Sequence, residues 1–236
     1  MLEWLIYCQK ILPSLLQGLD ITLKLFFMTI IFSLPLGLII ALLGISKFLP
    51  LKIFVNLYVW LLRGTPLLLQ LFFVYYGLPF LGNTLGIPLY NSSGTPLLNI
   101  TLDRFPAAVV TFVLNYSAYF SEIFRAGILS IDLGQHEAAR ASGMTGFKIM
   151  QRIIIPQTIR RVIPPIANET ITSIKDTALV ASIGVFDLLQ ATKGVVNRDV
   201  NTSPFFAAAI IYLLLTLILT YLFKLIENKY SKHEIR

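Results

Sequence analysis

The sequence is short of charge, of cysteine and of any nucleotide-binding loop. Only 13% of its 236 residues are Asp, Glu, Lys or Arg, whereas a soluble globular chain carries about 25%. So few charges do not cover a water-facing surface, which excludes an ordinary soluble domain. The single cysteine, Cys8, excludes a disulfide within the chain and leaves the redox compartment open. None of the 14 glycines precedes a lysine, so the Gly-Lys-Ser/Thr element of a phosphate-binding loop is missing. His136 and His233 are far apart with no cysteine beside either, and no metal-ligand set stands at usable spacing. No Ser/His/Asp or Cys/His set points to catalysis. The N-terminus lacks a small-residue cleavage site after a short apolar core, so no removable signal peptide is expected.

What is abundant is apolar chain. Hydrophobic residues make up 56% of the sequence, and mean hydropathy is +0.76. Several apolar runs exceed the roughly 18–20 residues that cross a bilayer. Backbone groups in hydrocarbon must bond within their own segment, which selects helices. The alternation of a membrane barrel is absent. The expected fold is therefore all-α integral membrane, one domain over 1–236 without repeats. Residues 1–16, with Trp4, Tyr7 and Lys10 among apolar neighbours, read as a short interfacial helix. Five spans follow, at about 18–43, 53–80, 105–124, 162–183 and 204–223. The stretches 81–104 and 184–203 read as polar connectors, and 130–156 as a helical segment outside the membrane.

The net charge of +7 need not mean nucleic acid, because basic residues flank membrane helices and set their orientation. With the C-terminus inside, 12 of the 19 Lys and Arg residues fall on inner segments and 4 on outer ones. Such a bias places the N-terminus outside and 130–156 in the cytoplasm.

That segment contains Glu137-Ala138-Ala139, three residues, Gly143, nine residues, then Ile153-Ile154-Ile155-Pro156. The run Ala138, Ala139, Ala141, Ser142 and Gly143 is small enough for another surface to approach closely. Met144, Phe147 and Met150 add an adaptable apolar face. Glu137 is free to meet a partner's basic side chain or to cap a turn. Pro156, Pro164 and Pro165 are expected to break the following helix into bent levers. The pattern resembles the EAA motif of bacterial ABC importer permeases, with Ile155 where that family usually has Leu. The segments Leu62–Gln70, Tyr119–Arg125 and Lys175–Leu179 resemble the subfamily that imports polar amino acids.

The resemblance implies a type I importer permease in the bacterial inner membrane, whose 130–156 segment is a coupling helix. It implies that Glu137, Ala138, Ala139 and Gly143 couple to a separate ATPase that binds ATP and Mg, two copies per complex. It also implies a second permease chain, identical or homologous, and an extracellular substrate-binding protein that docks near 81–104 and 184–203. The chain itself is expected to be no enzyme, to hold no cofactor, and to meet lipid rather than nucleic acid.

Charges within spans are costly, roughly 2.5–3.5 kcal/mol on insertion scales, and mark functional candidates. Thr111, Asn115, Tyr119 and Glu122 share one helical face by their steps of four, four and three. Glu122 either accepts an amino-acid cation or pairs with Arg125, three residues on. Arg63 lies about 15 Å into its span, beside Gly64 and Pro66. Pro66 frees the carbonyl of Leu62, which must find another partner, and a broken helix near the midplane often marks a transport site. Arg63 either binds an α-carboxylate or balances Glu122 or Asp176. Gln70, two turns on, is expected on the Arg63 face, and Glu122, Asn115, Tyr119, Arg63 and Gln70 are the expected substrate-binding residues. Asn168, Thr172 and Asp176 step by four, and Lys175 and Asp176 read as interhelical ion-pair partners ahead of cavity lining. Lys24 is expected to snorkel.

The expected substrate is a polar amino acid, basic in the first instance because Glu122 is negative. Glutamine uptake by the same kind of importer is the alternative. An ion-coupled transporter or channel is a more remote one.

Overall fold

The computed structural model describes residues 2–80 and 102–231. The helices are α1 (Leu2–Ile45), α2 (Leu49–Gly64), α3 (Leu67–Phe72), α4 (Arg104–Leu129), α5 (Leu133–Ala141), α6 (Gly146–Ile149), α7 (Ile155–Asp176), α8 (Leu188–Asp199) and α9 (Pro204–Ser231). A π-helical turn, Phe73–Gly77, extends α3, and another, Met150–Ile154, joins α6 to α7. A 3-10 segment, Thr177–Ile183, prolongs α7. Three helices are long and apolar enough to cross a membrane. Two bent pairs raise the number to five at most.

Helix α4 is the axis of the bundle. Its buried residues Ala108, Phe112, Tyr116 and Phe120 pack with Leu25 of α1, Leu71 of α3 and Val180 beyond α7. Small residues set how closely helices approach. A Cβ on Gly37 of α1 would stand 2.8 Å from Phe120 Cβ and 3.0 Å from the Ser117 carbonyl, so only glycine admits this contact. Two buried hydroxyls of α4 are satisfied inside their own helix. Thr111 donates to the Ala107 carbonyl at 2.7 Å, and Ser121 to that of Ala118 at 2.8 Å, which spares the apolar interior an unmet donor. Tyr58 of α2 donates to the Leu114 carbonyl at 2.8 Å and ties α2 to α4.

The first expected boundary is absent. Residues 2–16 continue without a break into α1, a single helix of 44 residues. Ile11 and Leu15 are buried against Leu188, Val195 and Ala208, so this end of α1 is held by protein rather than lying apart. At 1.5 Å per residue α1 is about 66 Å long, more than twice a hydrocarbon core of about 30 Å.

The connector 184–203 holds a helix the sequence reading passed over. Asp187 is buried and caps α8, accepting from Gln190 N at 2.9 Å and Leu189 N at 3.2 Å. Thr22 of α1 accepts from Leu188 N at 3.0 Å. Gly18 seats α1 on this turn, since a Cβ there would come 2.6 Å from the Asp187 carbonyl.

Pro164 and Pro165 do not break α7, which runs through both. Proline's fixed φ is itself helical, so the helix continues although each ring removes a donor and crowds the carbonyl four residues back. The irregularity lies upstream, in the π-helical turn before Pro156. Helix α9 packs on α7 and α8 and leaves Leu213, Leu214, Leu217 and Ile218 exposed, an apolar face suited to lipid.

Candidate functional site

The break in the second span is where the sequence places it. Helix α2 ends at Gly64, α3 starts at Leu67, and the two directions differ by 106°. Pro66 cannot donate to the Leu62 carbonyl, and two side chains do so instead. Gln70 Nε2 reaches it at 2.8 Å and Asn115 Nδ2 at 3.1 Å. The two amides also meet each other, Asn115 Nδ2 donating to Gln70 Oε1 at 3.0 Å. Gln70 Nε2 further contacts Thr65 Oγ1 at 2.7 Å. Gln70 and Asn115 thus clamp the bend. The 106° turn removes Gln70 from the Arg63 face on which an unbroken helix would place it.

Beside the clamp are two adjoining cavities. One, of about 540 Å³, is lined by Arg63, Thr65, Asn115, Thr172 and Asp176 among others. The second, of about 370 Å³, runs from Arg63 past Glu122 to Ser130 and Arg161 near the start of α5. Arg63, Tyr119 and Glu169 line both. The Arg63 guanidinium lies over the Tyr119 ring, 5.3 Å from its centroid, a cation–π arrangement. Neither Arg63 nor Glu169 forms a hydrogen bond or ion pair among the described residues. A guanidinium and a carboxylate without a mutual bond, facing the same space from α2 and α7, form a dipolar receptacle.

Glu122 lines the second cavity but is engaged. Arg125 Nε donates to its Oε2 at 3.0 Å, and Arg125 Nη2 contacts Oε1. Thr111 of the same stripe faces the bundle core rather than either cavity. Asp176 accepts from the Tyr116 hydroxyl at 2.6 Å, and Lys175 makes no ion pair among the described residues. The expected ion-pair role is thus corrected. Adjacent residues point about 100° apart, and this turns Asp176 to α4 and Lys175 outward. Lys24 pairs with Asp20, one turn before it, at 2.5 Å. Asn168, expected to share the Thr172 and Asp176 face, lines neither cavity. Glu169, one residue on, lines both. The signal was present, since Glu169, Thr172 and Asp176 step by three and four.

The 130–156 segment is compact. Asp132 caps α5 by accepting from Gly134 N at 2.7 Å. The helix closes with Met144 N donating to the Ala139 carbonyl at 3.0 Å and Gly143 N to that of Arg140 at 2.9 Å. This closure requires a left-handed residue, and Gly143 has φ +77°. Its size matters less than its conformation. Ala139 is buried with Ile131, Ile149 and Ile154, with Met144 and Met150 packed against them. The apolar face expected from Met144, Phe147 and Met150 is therefore split. Phe147 and Leu133 point outward, 76% and 75% exposed, beside exposed Glu137 and Ala138.

Residues 33–232 match the family described as the binding-protein-dependent transport system inner membrane component. The chain belongs to this family. Its relatives include the arginine transport system permease protein ArtQ of Bacillus subtilis (strain 168), 39% identical over 94% of this chain and 95% of that one. The L-cystine transport system permease protein TcyB of the same organism is 38% identical over 98% and 93%. The putative glutamine transport system permease protein GlnP of Rickettsia typhi (strain ATCC VR-144 / Wilmington) is 34% identical over 97% and 98%. Among solved structures, an amino acid ABC transporter crystallised with histidines matches with TM-score 0.83 and 35% identity, covering 95% of this chain and 97% of that one. The methionine transporter MetNI shares the fold, with TM-score 0.66 at 17% identity. This permease is thus a multi-pass inner-membrane component of an amino acid ABC importer, a family whose ATPase activity lies in a separate subunit.

Proposed function

We propose that this permease passes a polar α-amino acid through the cavities beside the α2–α3 break, with the α-carboxylate on Arg63 and a cationic group on Glu169. The observation that carries the reading is the pair of opposite charges lining the same cavities, each without a hydrogen bond or ion pair among the described residues. Charges inside a membrane are expensive unless used, and a zwitterion uses both. The favoured substrates are basic amino acids such as arginine, lysine or histidine. Glu122 and Asp176 add carboxylate oxygens on the same walls for a side-chain cation. Tyr119 and Asn115 complete the wall, and Gln70 acts through the clamp.

Helix α5 and the turns after it, with Glu137, Ala138 and Phe147 exposed, form the docking surface for an ATPase subunit that holds ATP and Mg. Gly143 sets where that surface ends. Two permease chains and two ATPase subunits assemble, with a binding protein delivering substrate outside. Residues 81–101, expected to share in that docking, lie outside the described residues. The N-terminus is outside and the C-terminus cytoplasmic, in keeping with the 12-to-4 charge bias.

The test is ATP hydrolysis in liposomes that hold this permease, its ATPase and its binding protein, with arginine or glutamine supplied. Stimulation by arginine that Glu169→Gln and Glu137→Arg each remove supports the reading. Stimulation by glutamine alone overturns the basic specificity. Equal hydrolysis in Glu169→Gln and wild type, at equal uptake, removes Glu169 from the pathway.

A further inference from the structure

One face of α7 does two things. Gln157, Arg161, Pro165, Glu169, Thr172 and Asp176 step by four, four, four, three and four, so they lie within an arc of roughly 120° at 100° per residue. The four toward the C-terminus line the cavities. The two toward the N-terminus hold the segment that precedes and forms α5. Gln157 Nε2 donates to Gln135 Oε1 of α5 at 2.5 Å and to its own Ile153 carbonyl at 3.0 Å. Arg161 Nη1 donates to the Ser130 carbonyl and lies 2.8 Å from the Ser130 hydroxyl. Ser130 stands two residues before Asp132, the cap of α5. Just before Ser130, close packing joins α4 to α7, because a Cβ on Gly127 would overlap Val162 Cγ1.

We infer that Gln157 and Arg161 are the grips by which movement of the α5 segment is converted into movement of Glu169 relative to Arg63. The inference rests on reading 130–156 as the ATPase-coupling segment. Glu169 is 12 residues beyond Gln157, about 18 Å along an uninterrupted helix, while Arg63 stands on α2. A displacement of Gln135 therefore pulls on α7, the wall that carries Glu169, and not directly on α2, the wall that carries Arg63. Gln157 ties α7 to α5, and Arg161, one helical turn on, ties it to Ser130 at the C-cap of α4. The two contacts thus hold α7 at the junction where α4 hands over to α5, and they add to the packing that aims Glu169.

Arg161 also lines the cavity, so its loss alone would not separate grip from substrate contact. Gln157 and Gln135 line neither cavity and carry the decisive test. The permease, its ATPase and its binding protein are reconstituted in liposomes, and arginine taken up per ATP hydrolysed is measured with the KM for uptake. Gln157→Leu and Gln135→Leu are each expected to lower uptake per ATP about fivefold, the size of a modest coupling energy. KM should stay within about twofold, and the double variant should be no worse than either single one. Arg161→Gln should lower the same ratio, with partial recovery in Arg161→Lys. An unchanged ratio in both glutamine variants, or additive losses in the double, overturns the inference. Glu137→Arg run alongside separates the two readings. If it leaves ATPase association intact, the coupling reading itself has failed, whatever the glutamine variants do. If an arginine variant does not assemble, the glutamine cycle decides alone.

Discussion

Asn115 donates to the carbonyl of Leu62, 53 residues earlier in the chain, at 3.1 Å. The contact exists because Pro66 withholds the hydrogen bond that an ordinary helix would make there. It turns a broken helix into a fixed corner, and the residue after Leu62 in that corner is Arg63.

Asn115→Leu should therefore destabilise the permease by about 1–3 kcal/mol, the cost of leaving a buried acceptor short of a partner. Gln70→Leu should cost a similar amount. The double variant should cost less than the sum, because both amides serve one carbonyl and each other. Thermal unfolding of the detergent-solubilised complex checks this.

Glu169→Gln and Glu122→Gln should differ. Glu169 makes no hydrogen bond or ion pair among the described residues, whereas Glu122 already has Arg125. Removing the Glu169 charge is expected to raise the KM for arginine about tenfold or more, as loss of a charged contact costs about 1.5–3 kcal/mol. Glu122→Gln should raise KM several-fold less. The ratio of the two KM values, measured in one preparation, checks the order.

Gly143→Ala should weaken the end of α5 by roughly 1–2 kcal/mol, since a side chain at positive φ is strained. Gly143→Asn should cost less. The readout is loss of ATPase association with the cavities intact, followed by pull-down of the ATPase subunit and by arginine binding.

Gly127→Ala should destabilise the α4–α7 contact by about 1–3 kcal/mol, because the added methyl meets Val162. Val162→Ala should restore part of that loss. A rescue visible in thermal unfolding confirms that the two helices touch at this point, beside the smaller cavity.

Much of the site was legible because local chemistry decides it. Pro66 announces both the break and the orphaned Leu62 carbonyl. Which groups answer that carbonyl is a tertiary matter, so Asn115 and Gln70 read as substrate ligands until their positions were known. Glu169 is hidden because the steps of four from Asn168 to Asp176 describe a face 100° away from it. The Glu122–Arg125 pair was foreseen as one of two outcomes, since three-residue spacing on a helix permits it. Helix α8 was hidden by its polar composition. Its start was marked by Asp187 ahead of Leu188 and Leu189, but the apolar face toward α1 becomes plain only when Ile11 and Leu15 are seen against it. The same contact explains why residues 2–16 do not stand apart.

That contact has a consequence for biosynthesis. Ile11 and Leu15 leave the ribosome early, while Leu188 and Val195 follow nearly 180 residues later. At synthesis rates of about 5–20 residues per second, the interval is roughly ten to thirty-five seconds. Throughout it the first turns of α1 have no permanent neighbour and depend on lipid or the insertion machinery for shelter. A segment made well before its partners thus waits for them, and synthesis order and packing order run in opposite directions here.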